Sequence, residues 1–181
     1  MKGNDVTDGA IYGATECAGA NGLGYGAVFE VTLTGTEEVA HSFNNEGDGA
    51  NPIAGLTNVG GTLYGATGRG PSGAAGTVFS LTAAGVLKVL QPFTFGGDGG
   101  NPAATLTNVG GVLYGTTSFA TIFRITTTGA ETDLYTIEGK TFGGSAPSNF
   151  FGDLTDVAGT LYATTQYGGA YGDGAVLKAT P

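Results

Sequence analysis

Short apolar runs punctuated by glycine recur along the whole chain. The clearest is Ile53-Ala-Gly-Leu-Thr-Asn-Val-Gly-Gly-Thr-Leu-Tyr-Gly-Ala-Thr67, and it returns as Ala103-Ala-Thr-Leu-Thr-Asn-Val-Gly-Gly-Val-Leu-Tyr-Gly-Thr-Thr117. A third copy is Phe151-Gly-Asp-Leu-Thr-Asp-Val-Ala-Gly-Thr-Leu-Tyr-Ala-Thr-Thr165, and a shorter one is Val6-Thr-Asp-Gly-Ala-Ile-Tyr-Gly-Ala-Thr15. Ile11, Leu63, Leu113 and Leu161 hold equivalent places, at spacings of 52, 50 and 48 residues. A second run keeps step: Gly26-Ala-Val-Phe29, Gly76-Thr-Val-Phe79, Ala120-Thr-Ile-Phe123 and Gly174-Ala-Val-Leu177. A third motif marks two joins, Gly47-Asp-Gly-Ala-Asn-Pro52 and Gly97-Asp-Gly-Gly-Asn-Pro102. The next join, Gly144-Ser-Ala-Pro-Ser-Asn-Phe150, keeps Asn149 but loses the aspartate and the proline after the asparagine.

Within a unit the runs are strand-length and bounded by turn residues. In the second unit they predict strand A over Ile53–Val59, B over Thr62–Thr67, C over Thr77–Thr82 and D over Val86–Phe93. Other copies of D are Glu37–Phe43 and Thr132–Glu138. Gly60-Gly61 between apolar runs predicts a tight hairpin. No segment sustains a 3.6-residue apolar period, and glycine is too dense for stable helices. Four antiparallel strands in about 50 residues predict the blade of a β-propeller. The fold class is therefore all-β: one repeat domain, a propeller-like array of about four four-stranded antiparallel blades. Its units are approximately 1–50, 51–100, 101–148 and 149–181, the first and last incomplete. A β-solenoid is the alternative fold.

Small residues (Ala54, Gly55, Ala103, Ala104, Gly152) suit strand A to the crowded centre, and the variable strand D suits the outer edge. Tyr12, Tyr64, Tyr114 and Tyr162 follow an apolar residue in every unit and are predicted to pack between blades. The sequence ends just after strand C of the fourth unit, and Met1–Val6 is all that precedes strand B of the first. One blade is thus expected to be three-stranded, or to have its edge filled by another chain. Open edges invite pairing, so a homo-oligomer is expected.

Composition narrows the function classes. Glycine makes up 36 of 181 residues, while 40% of residues are hydrophobic and 12% charged. That hydrophobic share, regularly placed, fits a packed β structure rather than disorder. The net charge is −9 with six scattered Lys and Arg, so there is no basic stripe for nucleic acid or anionic membranes. No run of about 20 apolar residues spans a bilayer. The first thirty residues show no signal-peptide pattern. The single cysteine, Cys17, precludes an internal disulfide framework and reads as an idle thiol.

An antiparallel path puts the B–C and D–A connections on one face and the short A–B and C–D hairpins on the other. The first face carries the long loops Glu16–Tyr25, Gly68–Ala75 and Gln166–Asp173, with the third B–C loop cut to Ser118-Phe119. Binding groups favour loops on a rigid scaffold, so this face is the functional candidate. Its ligand candidates are Asn21, Tyr25, Arg69, Gln166, Tyr167, Tyr171 and Asp173, a set able to stack on and hydrogen-bond glycans or surface polymers. Asp48 and Asp98 are weak candidates for Ca²⁺, because Asp-Gly-x-Asn-Pro is also a good turn. His41 has no nucleophile motif beside it and reads as an ordinary strand histidine. Asp153, on an inner strand, is the carboxylate on which a polysaccharide-acting enzyme would rest; the lining of a solvated channel is the plainer reading. No catalytic residue and no cofactor is assigned.

The pattern Leu-Thr-x-Val-x-Gly-x-Leu-Tyr-Gly-x-Thr, then a Gly-rich loop, then Gly-Thr-Val-Phe-x-Leu-Thr, resembles the Gloeo-Verruco (GloVer) tandem repeat over essentially the whole chain. The resemblance implies a secreted bacterial setting, extracellular or at the cell surface. It implies no activity and no catalytic residues. The expected role is a non-enzymatic structural, self-assembling module, with glycan or surface-polymer binding as the alternative.

Overall fold

The computed structural model describes the chain except residues 1, 8, 18, 96–97, 103, 119–120, 137–147 and 151. Each unit folds into its own antiparallel sheet. The first comprises β1 (Lys2–Thr7), β2 (Ala10–Thr15), β3 (Ala27–Thr32) and β4 (Glu37–Ser42). The second comprises β5 (Ala50–Pro52), β6 (Thr57–Val59), β7 (Thr62–Arg69), β8 (Thr77–Thr82) and β9 (Leu87–Pro92). The third holds β10 (Thr107–Val109), β11 (Val112–Thr116), β12 (Thr121–Thr126) and β13 (Glu131–Thr136). The fourth holds β14 (Ser148–Phe150), β15 (Thr155–Val157), β16 (Thr160–Tyr167) and β17 (Ala175–Ala179). Strand C of the second unit falls where its apolar run predicts, and strand B runs two residues further, to Arg69.

Strand A differs from expectation. Instead of one strand over Ile53–Val59, two short strands, β5 and β6, pair with opposite ends of β7, and Ile53–Leu56 leaves the ladder between them. The fourth unit repeats this with β14 and β15 on β16. The third keeps a single bridge, Pro102 to Thr117, ahead of β10. The reason is visible in the packing. Leu56, Leu106 and Leu154 drop their side chains into the apolar layers beneath, while the neighbouring amides turn to the next unit. Gly55 N–H donates to Thr105 Oγ1 at 3.2 Å, and Thr105 N–H donates to Asp153 Oδ1 at 2.7 Å. Thr57 Oγ1 donates to the Leu106 carbonyl, and Thr107 Oγ1 does the same to Leu154, at 2.7 Å.

The sheets stack face to face in chain order. The side of a sheet that looks to the next unit carries Tyr and Val; the side that looks back carries Leu and Phe. Tyr12, Val28 and Phe43 pack on Leu56, Leu63, Phe79 and Leu81. Tyr64, Val78 and Phe93 pack on Leu106, Leu113, Phe123 and Ile125. Tyr114 and Ile122 pack on Phe150, Leu154, Leu161, Ala163 and Ala179. Three of the four repeated tyrosines are thus buried between blades, as expected, and Tyr162 is half-buried. Strands β1, β6, β10 and β15 adjoin one another in that order, which places strand A innermost. Among the described residues no strand ladder joins two units, so the sheets fan about an axis instead of winding into a solenoid.

Two recurring glycine contacts set the local sequence. Gly13, Gly65 and Gly115 sit opposite Phe29, Phe79 and Phe123. Each phenyl ring covers its glycine so closely that an added Cβ would lie 2.4, 2.6 and 2.4 Å from the ring Cζ. In the fourth unit the opposed pair is Ala163 and Leu177. With no ring, a methyl fits. At the joins, Pro52 and Pro102 lie against Gly26 and Gly76 of the unit before, with room for no side chain there.

Candidate functional site

The B–C loops and D–A joins do share one face, where hydrogen bonds tie them together. Ala20 N–H donates to Ser42 Oγ, Ala75 N–H to the Phe93 carbonyl, and Asn51 N–H to the Tyr25 carbonyl across units. The opposite face has tight turns. Asn58, Asn108 and Asp156 accept the amides of Gly61, Gly111 and Gly159, each in a two-residue hairpin.

The seven ligand candidates fall on three units, with four of them in the loop of the fourth. Asn21 is engaged structurally: its Nδ2 donates to the Phe43 carbonyl at 2.8 Å and its Oδ1 accepts Leu23 N–H at 3.1 Å. Tyr25 is half-buried against the first apolar layer. Arg69 and Tyr167 occupy equivalent positions, the last residue of the long strand B, opposite Ala50 and Ser148. Cys17, exposed, holds the corresponding place in the first unit, and Phe119 of the third lies outside the described residues. Gln166 and Asp173 are exposed at the ends of the fourth loop, which closes on itself through Gly174 N–H to the Gly168 carbonyl. Tyr171 at its tip is 93% exposed.

Among the described residues, two cavities open on this face. One of about 330 Å³ is lined by Asn45, Arg69, Ala75, Phe95 and Asn101. The other, of about 240 Å³, is lined by Glu16, Asn51, Ile53, Arg69, Asn101 and Ser118, and so draws on three units. Of the seven candidates, Arg69 alone lines either. Asn51 and Asn101 were legible only as turn residues, yet they hold the wall. Asn51 Nδ2 donates to the Glu16 carbonyl at 3.0 Å, and the Asn101 amide, with its nitrogen turned inward, reaches the Gly68 carbonyl at 3.0 Å. The Asn51 Oδ1 is buried without a hydrogen-bond partner.

The carboxylates singled out in the sequence bind backbone. Asp48 accepts the amides of Asn44 and Asn45 at 3.2 and 3.1 Å, and its Oδ2 lies 2.9 Å from His41 Nε2. Asp98 accepts Thr94 N–H at 2.6 Å and Gly100 N–H at 3.3 Å. Both therefore act as turn-fixing residues. Asp153, exposed, is the acceptor for Thr105 of the preceding unit. Among the described residues no three His, Cys, Asp or Glu side chains gather at one place.

This architecture is shared with much larger chains. The computationally designed Ika8 protein aligns with a TM-score of 0.55 at 15% identity, covering 90% of this chain and 42% of that one. BamB from Moraxella catarrhalis gives 0.54 at 15%, covering 99% and 44%. XC5397 from Xanthomonas campestris, a gluconolactonase, gives 0.56 at 15%, covering 97% and 55%. The chain thus spans about half the length of these structures. No curated protein matches it in sequence. Fold and stacking together define a β-propeller repeat module. The family model of the Gloeobacter/Verrucomicrobia repeat matches residues 3–181, and the chain belongs to that family.

Proposed function

We propose that the chain is a non-enzymatic, extracellular structural module that self-associates through its unpartnered end sheets. One observation carries this reading. Val28, Val78 and Ile122 are 0%, 0% and 1% exposed because the next sheet covers them, whereas their counterpart Val176 is 73% exposed. An apolar surface built like three buried ones is a surface meant to be covered. Membership in the repeat family supports the extracellular setting, and engagement of Asp48, Asp98 and Asp153 with backbone supports a structural role over catalysis. Light scattering across a concentration series tests it: mass above one chain is expected, and a single-chain mass at every concentration overturns it.

The second reading, a glycan- or surface-polymer-binding module, is favoured by the 240 Å³ cavity. Its wall carries the charged side chains of Arg69 and Glu16 beside Asn51 and Asn101, whose amide nitrogens are spent on backbone carbonyls. Calorimetry with soluble polysaccharides, with and without Ca²⁺, is expected to show binding that Arg69→Ala weakens at least tenfold. Heat signals that Arg69→Ala leaves unchanged would remove this site from consideration.

A further inference from the structure

The two end surfaces are complementary halves of the contact that the molecule already makes three times. The fourth sheet's outward side presents Tyr162, Thr164, Val176 and Lys178, the register counterparts of Tyr64, Ala66, Val78 and Ser80. The first sheet's backward side presents Ile11, Val31 and Val39, the counterparts of Leu63, Leu81 and Val89, while its Phe29, the counterpart of Phe79, is already buried over Gly13. Leu63 and Leu113 are 2% and 0% exposed, while Ile11 and Val31 are only half-buried and Val39 is 48% exposed. Among the described residues no buried layer joins the fourth sheet to the first. The exposed rims also differ in charge. Lys178 pairs in register with Tyr162 on one surface, and Glu37 pairs with Val31 on the other.

We infer that the occupant of each surface is a second copy of this chain, seated head to tail, so that two copies close one ring of eight sheets. This rests on the self-association proposed above and adds its partner, geometry and number. A head-to-tail contact closes only if its rotation returns to the start, and otherwise grows into a filament. Closed propellers hold about four to eight blades. Two copies reach that upper size. An isologous pair would set Tyr162 and Val176 against themselves; the three internal layers instead set Tyr and Val against Leu and Phe.

The test uses residues 1–181 in a Cys17→Ser background. Val28 and Leu63 share a buried layer, so a short bis-maleimide is expected to join a Val176→Cys chain to an Ile11→Cys chain in a mixture, and neither variant to itself. Native mass spectrometry is expected to give twice the 17.8 kDa chain mass. Val176→Arg, a change at an exposed site, is expected to return single chains with an unaltered circular dichroism spectrum. Val86→Arg, at a hairpin residue 62% exposed, is expected to leave the pair intact. Cross-linking of Val176→Cys to itself overturns the head-to-tail geometry. Masses that climb past two chains with concentration overturn ring closure while the self-association reading stands. A single-chain mass throughout overturns both.

Discussion

At the scale of residues, the fold depends on what is left out as much as on what is packed. Gly65 has a neighbour on each side of its missing side chain, with Phe79 Cζ at 2.6 Å and Leu56 Cδ2 at 2.8 Å from an added Cβ. Gly65→Ala is therefore expected to lower stability by about 1–3 kcal/mol through overpacking. Phe79→Leu in the same chain is expected to recover part of that loss, because Ala163 opposite Leu177 shows the combination working in the fourth sheet. Urea unfolding of the two single variants and the double variant checks this. Equal losses with and without Phe79→Leu would show that the ring is not what excludes the methyl. The pairing was half legible in the sequence. A glycine inside a strand run points to close approach, but nothing in a linear string says which aromatic residue does the approaching.

Elements divide by how local their determinants are. Strand C is a run of Val, Phe, Leu and Thr whose limits follow from composition alone. The A–B hairpins are as local: Gly60 and Gly61 both take positive φ, as do Gly110 and Gly111, and a two-residue turn of this hand needs it. The fourth copy has Ala158 in that place, at φ 51°. Ala158→Gly is expected to relieve about 1–2 kcal/mol of left-handed strain against about 0.4–1 kcal/mol of added unfolded-state entropy. Thermal melting should show a small rise in midpoint; a fall would mean that the alanine methyl has a packing role. Strand A is where the sequence misled. Its apolar run reads as continuous, but Leu56 is claimed by the layer below while Gly55 N–H is claimed by Thr105, fifty residues on. That competition exists only once two units are stacked. The candidate site fared likewise. Loop tips such as Tyr171 were recognisable from glycine spacing, whereas the cavity wall of Asn51 and Asn101 depends on carbonyls of a preceding unit.

For the whole molecule, electrostatics sets the conditions under which copies meet. Each chain carries a net charge of −9, so two copies repel at long range, and that repulsion is screened over about 10 Å at 0.1 M salt. Association is expected to tighten severalfold as sodium chloride rises from roughly 10 mM to 150 mM. Sedimentation at three salt concentrations would show it. Weakening with salt would instead put the Lys178 and Glu37 rims in control of the contact.

The seating of Pro52 on Gly26 and of Pro102 on Gly76 carries a lesson for shuffling such modules. A breakpoint placed at the joins, where one sheet ends and the next starts, separates each proline from the glycine it was fitted to. A crossover between the Gly60-Gly61 and Gly110-Gly111 hairpins moves Gly76 and Pro102 together, with Phe79 still over Gly65. The heritable cassette is therefore offset from the blade by about one strand, and chimaeras cut at the hairpins should fold where those cut at the joins should not.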